Sequence, residues 1–424
     1  MNMTKTEYPS IGETVYSGVL ENGLRIFVIP KPGFSSYYAV FGNDYGGAMR
    51  RFEIDGRVVD TPAGVAHYLE HKMFDLPEGE NALNILSANG ADPNAFTSSS
   101  ETCYYFRCTH SFNENLRMLL HFVSTPYFTP ETVEKERGII GQEIQMGEDS
   151  PGSAIYYNLL GALFDHHPIK YKVAGTLDSI AQISDKTLYD CFNVFYAPSN
   201  MALCVEGDVD PAEIFRIAAD ELPKECRGIP RADYGESEGP LPVKSKVEAA
   251  MPVSAPQFLI GCKLASPKTD ILKQRLTVGL ALRLMFGSSS SFYSRLYSDG
   301  VLTRDFDYES DYSAGVAYML LGGESSDPDR ILAEVLSEAE RIRHDGFDAE
   351  YFSRTKKAML GSNLRGFEDF DDVCLSVIDA CFDGYDSFTV TEELESVTKE
   401  DCEAVISEYF VPERLAISII TPEG

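Results

Sequence analysis

The sequence predicts an α+β fold of two homologous domains, each a mostly antiparallel sheet with helices packed on one face. Three observations lead there. The chain divides near residues 224–250, where Lys224 to Val243 have linker composition: Pro230, Gly235, Gly239, Pro240 and Pro242 fall among few apolar residues. The order of elements before this stretch recurs after it. Two landmarks also recur. Met73-Phe74 closes a helix as Met285-Phe286 closes its counterpart, and Phe128-Thr129-Pro130-Glu131 opens a long helix as Phe347-Asp348-Ala349-Glu350 does. An internal duplication is the economical reading. It gives domains over 1–224 and 251–424, joined by a linker over 225–250.

Period-2 and helical periodicity place the elements. The first half opens with strands over 14–20, 25–29 and 37–41. Helices follow over 65–74 and 81–89, then strands over 94–98 and 102–108. Helices over 112–124 and 130–147 come next, the latter opened by Thr129 as N-cap and Pro130 in the first turn. The second half shows a strand over 257–263 and a helix over 273–286. Strands over 303–311 and 315–322 and helices over 328–345 and 348–365 complete the repeat.

Composition narrows the functional classes. The chain has 424 residues, is 44% hydrophobic and carries a formal net charge of −30. That field repels nucleic acid and anionic membranes. It serves solubility or attracts cationic substrates, and both readings stand. No window approaches 18 apolar residues, and residues 1–12 are polar, so neither a membrane span nor a secretory signal is expected. Nine scattered cysteines without a C-x-x-C pair read as reduced thiols in a cytoplasmic protein. The acidic group Glu368, Asp369, Asp371 and Asp372 reads as a solvated face.

The chemistry concentrates in His67-Tyr68-Leu69-Glu70-His71, an H-x-x-E-H string that inverts the H-E-x-x-H zinc peptidase motif. On a helix, His67, Glu70 and His71 fall at i, i+3 and i+4, on one face. Two imidazoles there can hold one Zn²⁺, and the carboxylate can act as base on a water beside it. The duplication supplies a control, because aligning Phe74 with Phe286 puts Gly279, Leu282 and Arg283 opposite these three residues. The second copy cannot bind zinc there.

Catalytic zinc usually takes a third protein ligand. Glu136 and Glu143 stand seven apart on a long helix whose face also carries Ile139 and Ile140, so that face is expected to turn inward. An inward carboxylate needs a partner, and a metal is one. The competing reading pairs either Glu with Lys135 or Arg137 at the surface. Ser362 stands opposite Glu143 in the second copy. His166-His167, followed by Pro168, reads as a structural loop. His110, His121 and His344 read as solvated or packing residues.

Three segments carry a resemblance: Gly64 to Phe74, Asn94-Ala95-Phe96-Thr97, and Lys135 to Ile144. In this order they resemble the pitrilysin/insulinase family of zinc metallopeptidases (inverzincins), especially its bacterial processing-peptidase-like members. The likeness covers essentially the whole chain and implies a LuxS/MPP-like metallohydrolase fold. It also implies that His67, His71 and Glu143 hold one Zn²⁺ per chain, that Glu70 is the general base, and that Glu136 orients a ligand histidine. Asn94, Ala95, Phe96 and Thr97 would form an edge strand that pairs with substrate backbone, Asn94 and Ala95 nearest the scissile bond. One departure stands out. Where family members carry an Arg and a Tyr that hold substrate, this chain has Tyr297 and Thr303, with Arg295 and Arg304 nearby.

The expected activity is a zinc-dependent endopeptidase hydrolysing short or unfolded peptides, with Glu70 as general base. The alternative is a non-catalytic assembly or scaffold subunit of a peptidase-like heterodimer. The expected partners are peptide substrates and a second chain, as a homodimer or with a degenerate paralogue; no nucleic acid or membrane is expected.

Overall fold

The computed structural model describes residues 2–266 and 269–423. Its contacts divide the chain into two units, each discontinuous in sequence. The first comprises Met1–Ile144, Lys172–Tyr234 and Arg365–Phe388, and the second Gln145–Tyr171, Gly235–Leu364 and Thr389–Gly424. The linear cut at 225–250 therefore does not describe the packing. Composition locates a loop, but it does not show on which sheet a flanking helix docks.

The strands of the first unit are β1 (Asn2–Tyr8), β2 (Glu13–Val19), β3 (Arg25–Pro30), β4 (Tyr37–Asn43), β5 (Arg51–Ile54), β6 (Arg57–Asp60), β7 (Ala91–Thr97), β8 (Thr102–Cys108), β9 (Met201–Gly207) and β10 (Arg231–Ala232). Seven form the main sheet in the order β1-β2-β3-β9-β4-β8-β7, antiparallel except for the β3–β9 pair. The other three form a small sheet, β10-β5-β6. Its hairpin turns on Asp55 and Gly56, both left-handed (φ 50° and 71°), the turn that an Asp-Gly pair favours.

Side chains alternate across the main sheet. On β4, Ala39 and Phe41 enter a core shared with the helices Val65–Met73, Phe112–Ser124, Pro130–Glu148, Asp185–Phe195 and Pro211–Glu221. Tyr38 and Val40 enter a second core on the opposite face, where Val373, Cys374, Val377 and Ile378 of helix Phe370–Asp383 pack. The sheet thus carries its expected helical layer and one further helix behind it. That helix approaches closely: a Cβ on Gly42 would lie 2.9 Å from Ile378 Cγ2. The acidic group 368–372 belongs to its start. Asp369 caps it by accepting from the Asp371 N–H, and Asp371 pairs with Arg107 at 2.5 Å.

The second unit holds β11 (Lys246–Met251), β12 (Gln257–Leu264), β13 (Asp307–Ser313), β14 (Val316–Glu324) and β15 (Ala416–Pro422). Their order is β11-β15-β12-β14-β13, with only the β11–β15 pair parallel. This repeats β3-β9-β4-β8-β7 of the first unit strand for strand, parallel pair included. On β12 the neighbours Gly261 and Cys262 face opposite ways. Cys262 Sγ lies 3.6 Å from the Tyr409 carbonyl oxygen, while a Cβ on Gly261 would meet Leu159 and Leu163 of helix Pro151–Leu163. That helix comes from the first half of the chain, just as Phe370–Asp383 comes from the second. Both follow the long helices that the duplication pairs, so the exchange of helices is reciprocal.

The third strand of the second half starts at Asp307 rather than at 303, and residues 2–8, part of a segment read only as polar, form β1. No described helix is long and apolar enough to cross a membrane. All nine cysteines are free.

The rear helix makes a measurable contribution. Ile378 is fully buried, and Ile378→Ala is expected to destabilise the first unit by about 2–5 kcal/mol through lost burial and the cavity left. Urea unfolding followed by circular dichroism checks this; an unchanged first transition would contradict the packing described.

Candidate metal centre

The motif helix, Val65–Met73, begins at Gly64 in the left-handed region (φ 95°), where a Cβ would lie 2.6 Å from the Ala174 carbonyl oxygen. Glycine is required at that entry. The helix buries Val65, Ala66, Tyr68, Leu69 and Met73 against the sheet and turns His67, Glu70 and His71 to its other side. Lys72 interrupts the apolar stripe. It is fully buried and ion-paired with Asp75.

The second contributor is the helix Pro130–Glu148. The Tyr68 hydroxyl donates to the Val133 carbonyl, and Arg137 Nη2 donates to the Ile183 carbonyl at 2.8 Å. These bonds fix the helix beside the motif, and Ile140 and Ile144 bury its inner face. Ile139 does not follow the inward expectation. It is 43% exposed, because only Ile140 of the adjacent pair lies on the stripe that begins at Val133.

Three donors converge. His67 Nε2 lies 3.8 Å and His71 Nε2 3.5 Å from the same oxygen, Glu143 Oε2. One ligand atom from each residue lies within 4.8 Å of the others, and among the described residues no other group of His, Cys, Asp or Glu does this. Four ligands around zinc at ~2.0–2.1 Å stand roughly 3.3 Å apart, close to the 3.8 and 3.5 Å that separate the two imidazoles from Glu143.

The two imidazoles differ in protonation. Burial, then the neighbouring His71, pushes the His67 imidazole down to about 4, keeping it neutral. His71 Nδ1 lies 2.9 Å from Glu136 Oε1. With Nδ1–H donating there, the Nε2 lone pair is left facing Glu143. Burial opposes charge on Glu136, but the His71 hydrogen bond outweighs it, with help from His71, Lys72 and Lys135, and holds the carboxyl below its ordinary range. His67 Nδ1 is buried and bonded to nothing described. Burial opposes a charge on His71, but the Glu136 hydrogen bond and the charges of Glu143, Glu70 and Glu136 outweigh it and raise this imidazole above its ordinary value. A metal bound at Nε2 would take the place of that proton, so the two imidazoles and the carboxylate fit a zinc ion.

Glu70 lies on the same face. Burial raises its carboxyl above the ordinary value, and a hydrogen bond from Thr97 acts against this. The Thr97 hydroxyl donates to Glu70 Oε2 at 2.8 Å. Strand β7, which holds Asn94, Ala95, Phe96 and Thr97, is the last strand of its sheet and pairs only with β8. The Ala95 N–H is taken up by Asn94 Oδ1 at 2.9 Å. Ala95 packs towards the motif-helix core and Phe96 towards the rear one, as alternation requires.

Other candidates lie elsewhere. His167 caps a short helical turn, its Nδ1 accepting from the Ile169 N–H at 3.1 Å, and His166 NH and His167 NH donate to Glu238. His110 and His121 are exposed. His344 is exposed beside Asp345. In the second unit, Arg304 Nε lies 3.2 Å from the Tyr297 hydroxyl, and Arg295 pairs with Glu334 at 2.9 Å. Tyr68 and Lys72 were given no role in the sequence, and Arg137 only that of a surface partner for Glu136 or Glu143; it bonds the Ile183 carbonyl and Glu134 instead. Lys72 alone left a signal, a cation seven residues after Val65 on the apolar stripe.

Comparison with known proteins shows the family. Residues 56–177 match the family described as Insulinase (Peptidase family M16), and residues 182–359 match the Peptidase M16 inactive domain. An uncharacterized zinc protease of Bacillus subtilis (strain 168), YmfH, is 35% identical over 427 residues, covering 99% of each chain. A putative M16-like peptidase from Alicyclobacillus acidocaldarius superposes with a TM-score of 0.92 at 32% identity, over 97% of this chain and 99% of that one. Pitrilysin shares the fold at a TM-score of 0.79 and 15% identity, this chain matching 47% of its length. With a full-length relative at this identity and both halves matched, the chain belongs to the insulinase/pitrilysin (M16) peptidase family.

Proposed function

We propose that this protein is a zinc-dependent endopeptidase that hydrolyses peptides bound in extended form, with Glu70 as general base. The observation that carries the reading is the convergence of His67, His71 and Glu143 within 4.8 Å, with Glu70 one turn beyond His67. The zinc named for the B. subtilis relative supports the choice of metal. Bound to these three side chains, Zn²⁺ would polarise a scissile carbonyl and acidify a nearby water.

The protein's own groups do the rest. Glu70 accepts the proton from the attacking water and returns it to the leaving amine. Its raised pKa brings it nearer the range in which a carboxyl both takes and gives a proton. Glu136 fixes the His71 tautomer through Nδ1, so that Nε2 presents its lone pair. The free edge of β7 offers main-chain groups to an extended peptide, which gives affinity without dictating sequence. Nine free thiols suit a reducing compartment.

Glu70→Gln is the decisive variant. It is expected to bind one zinc per chain and to lose at least about 100-fold in kcat, the scale of general base catalysis. Hydrolysis of a quenched fluorescent peptide at the wild-type rate would overturn the mechanism. Glu143→Gln is expected to lose zinc and activity together. For Glu136→Gln, zinc affinity measured by chelator competition is expected to fall about 10- to 100-fold. An unchanged affinity would show that the Glu136–His71 hydrogen bond does not orient the ligand.

A further inference from the structure

Thr97 touches the base rather than the peptide edge. Its hydroxyl lies 2.8 Å from Glu70 Oε2, and it sits at the end of β7, where the strand turns into β8. Side chains alternate along the strand, so Ala95 and Thr97 share the face towards the motif helix. The strand proposed to receive substrate thus holds the proposed base from the same backbone. We propose that Thr97 is a positioning residue for Glu70: it occupies Oε2, fixes the rotation of the carboxylate, and leaves Oε1 as the oxygen that takes the proton. The inference rests on the peptidase reading given above.

Three features make Thr97 a fixed donor. First, Glu70 as a carboxylate only accepts, so the Thr97 proton points to it. Second, the neighbouring Thr102, which is fully buried, donates to the Tyr45 carbonyl at 2.9 Å and stands 3.4 Å from the Thr97 oxygen. The Tyr45 carbonyl accepts only, so this chain of groups ends there and offers the proton on Glu70 no second way out. The proton gained from water then leaves through Oε1, towards the substrate nitrogen. Third, the hairpin end cannot shift. The Gly47 and Ala48 N–H groups donate to the Ser98 and Ser99 carbonyls at 2.9 and 3.0 Å. A Cβ on Gly46 would lie 2.4 Å from Ser100 N, so the two turns are in backbone contact. The hydroxyl of Thr97 is therefore placed by packed backbone, and its reach to Glu70 does not depend on bound substrate.

Thr97→Val removes the hydroxyl at nearly constant volume, and Thr97→Ser keeps it. For Thr97→Val, kcat is expected to fall about 10- to 100-fold with KM unchanged, the scale of a misplaced catalytic group. Zinc affinity of the metal-free protein, titrated against a chromogenic chelator, is expected to stay within about twofold of wild type, because Thr97 bonds no ligand. Thr97→Ser is expected to recover to within about threefold in kcat, having kept the donor. A wild-type kcat in Thr97→Val overturns the inference. So does a raised KM at constant kcat, which would place Thr97 in substrate binding, and so does a parallel loss of zinc affinity. Thr97→Ala carries the same test should the valine variant not fold. Glu70→Gln separates the two readings: if it is inactive while Thr97→Val is fully active, the peptidase stands and the positioning role falls. If Glu70→Gln is active, both fall.

Discussion

The hydrogen bond between His71 and Glu136 sets the register on which the metal centre depends. Glu136 and Glu143 are seven residues apart, two turns and about 10.5 Å along one helix. Once Glu136 is held 2.9 Å from Nδ1 of His71, Glu143 can only arrive on the Nε2 side of the same ring. One imidazole therefore reads two positions of the neighbouring helix. The Tyr68 bond to Val133 and the Arg137 bond to Ile183 hold that helix at two further points. A slip of one residue would rotate the helix by about 100° and carry Glu143 off the shared oxygen position.

The motif helix has to satisfy opposed demands. One side fills a core, and the other keeps two histidines and a glutamate half-covered, where burial penalises their charged forms. Lys72 shows how the sequence reconciles them. Its cation lies inside the protein, balanced by Asp75, and it helps to keep Glu136 ionised against the cost of burial. Part of the positive charge that stabilises Glu136, beside the larger contribution of His71, thus comes from the core side of the helix. It leaves the face shared by His67, Glu70 and His71 clear.

Much of this was legible in the sequence because it is local. The spacing of His67, Glu70 and His71 follows from helix geometry, and the seven-residue step to Glu143 follows from the same period. The duplication was legible through its landmarks, and strand order repeats it down to the parallel pair. What the sequence did not show is non-local. The helices Pro151–Leu163 and Phe370–Asp383 pack on sheets built by the other half, a choice settled by surfaces such as Gly42 and Gly261 that make room for them. Ile139 and Ile140 are both apolar, and periodicity with a broad stripe did not say which one faces out. The Asp55-Gly56 hairpin did carry a local signal, a strong one for its length, but four-residue strands are short enough to pass as loop.

The second copy of the fold explains why the first must be polar for a reason other than folding. Its counterpart helix, Ile271–Phe286, buries Val278, Leu280, Ala281, Leu282, Leu284 and Met285, so the position opposite Glu70 is a core leucine. The same sheet order is built with Gly279, Leu282 and Arg283 at those positions. Replacing such residues by His67, Glu70 and His71 takes polar groups partly out of water, which is unfavourable unless they gain partners. Glu136 and Thr97 partner His71 and Glu70, but His67 Nδ1 has no described partner, and the two Nε2 atoms face a carboxylate beyond hydrogen-bond distance. The fold does not require this arrangement and stabilises it incompletely. A cation held by His67, His71 and Glu143 would give the two Nε2 atoms the partner they lack.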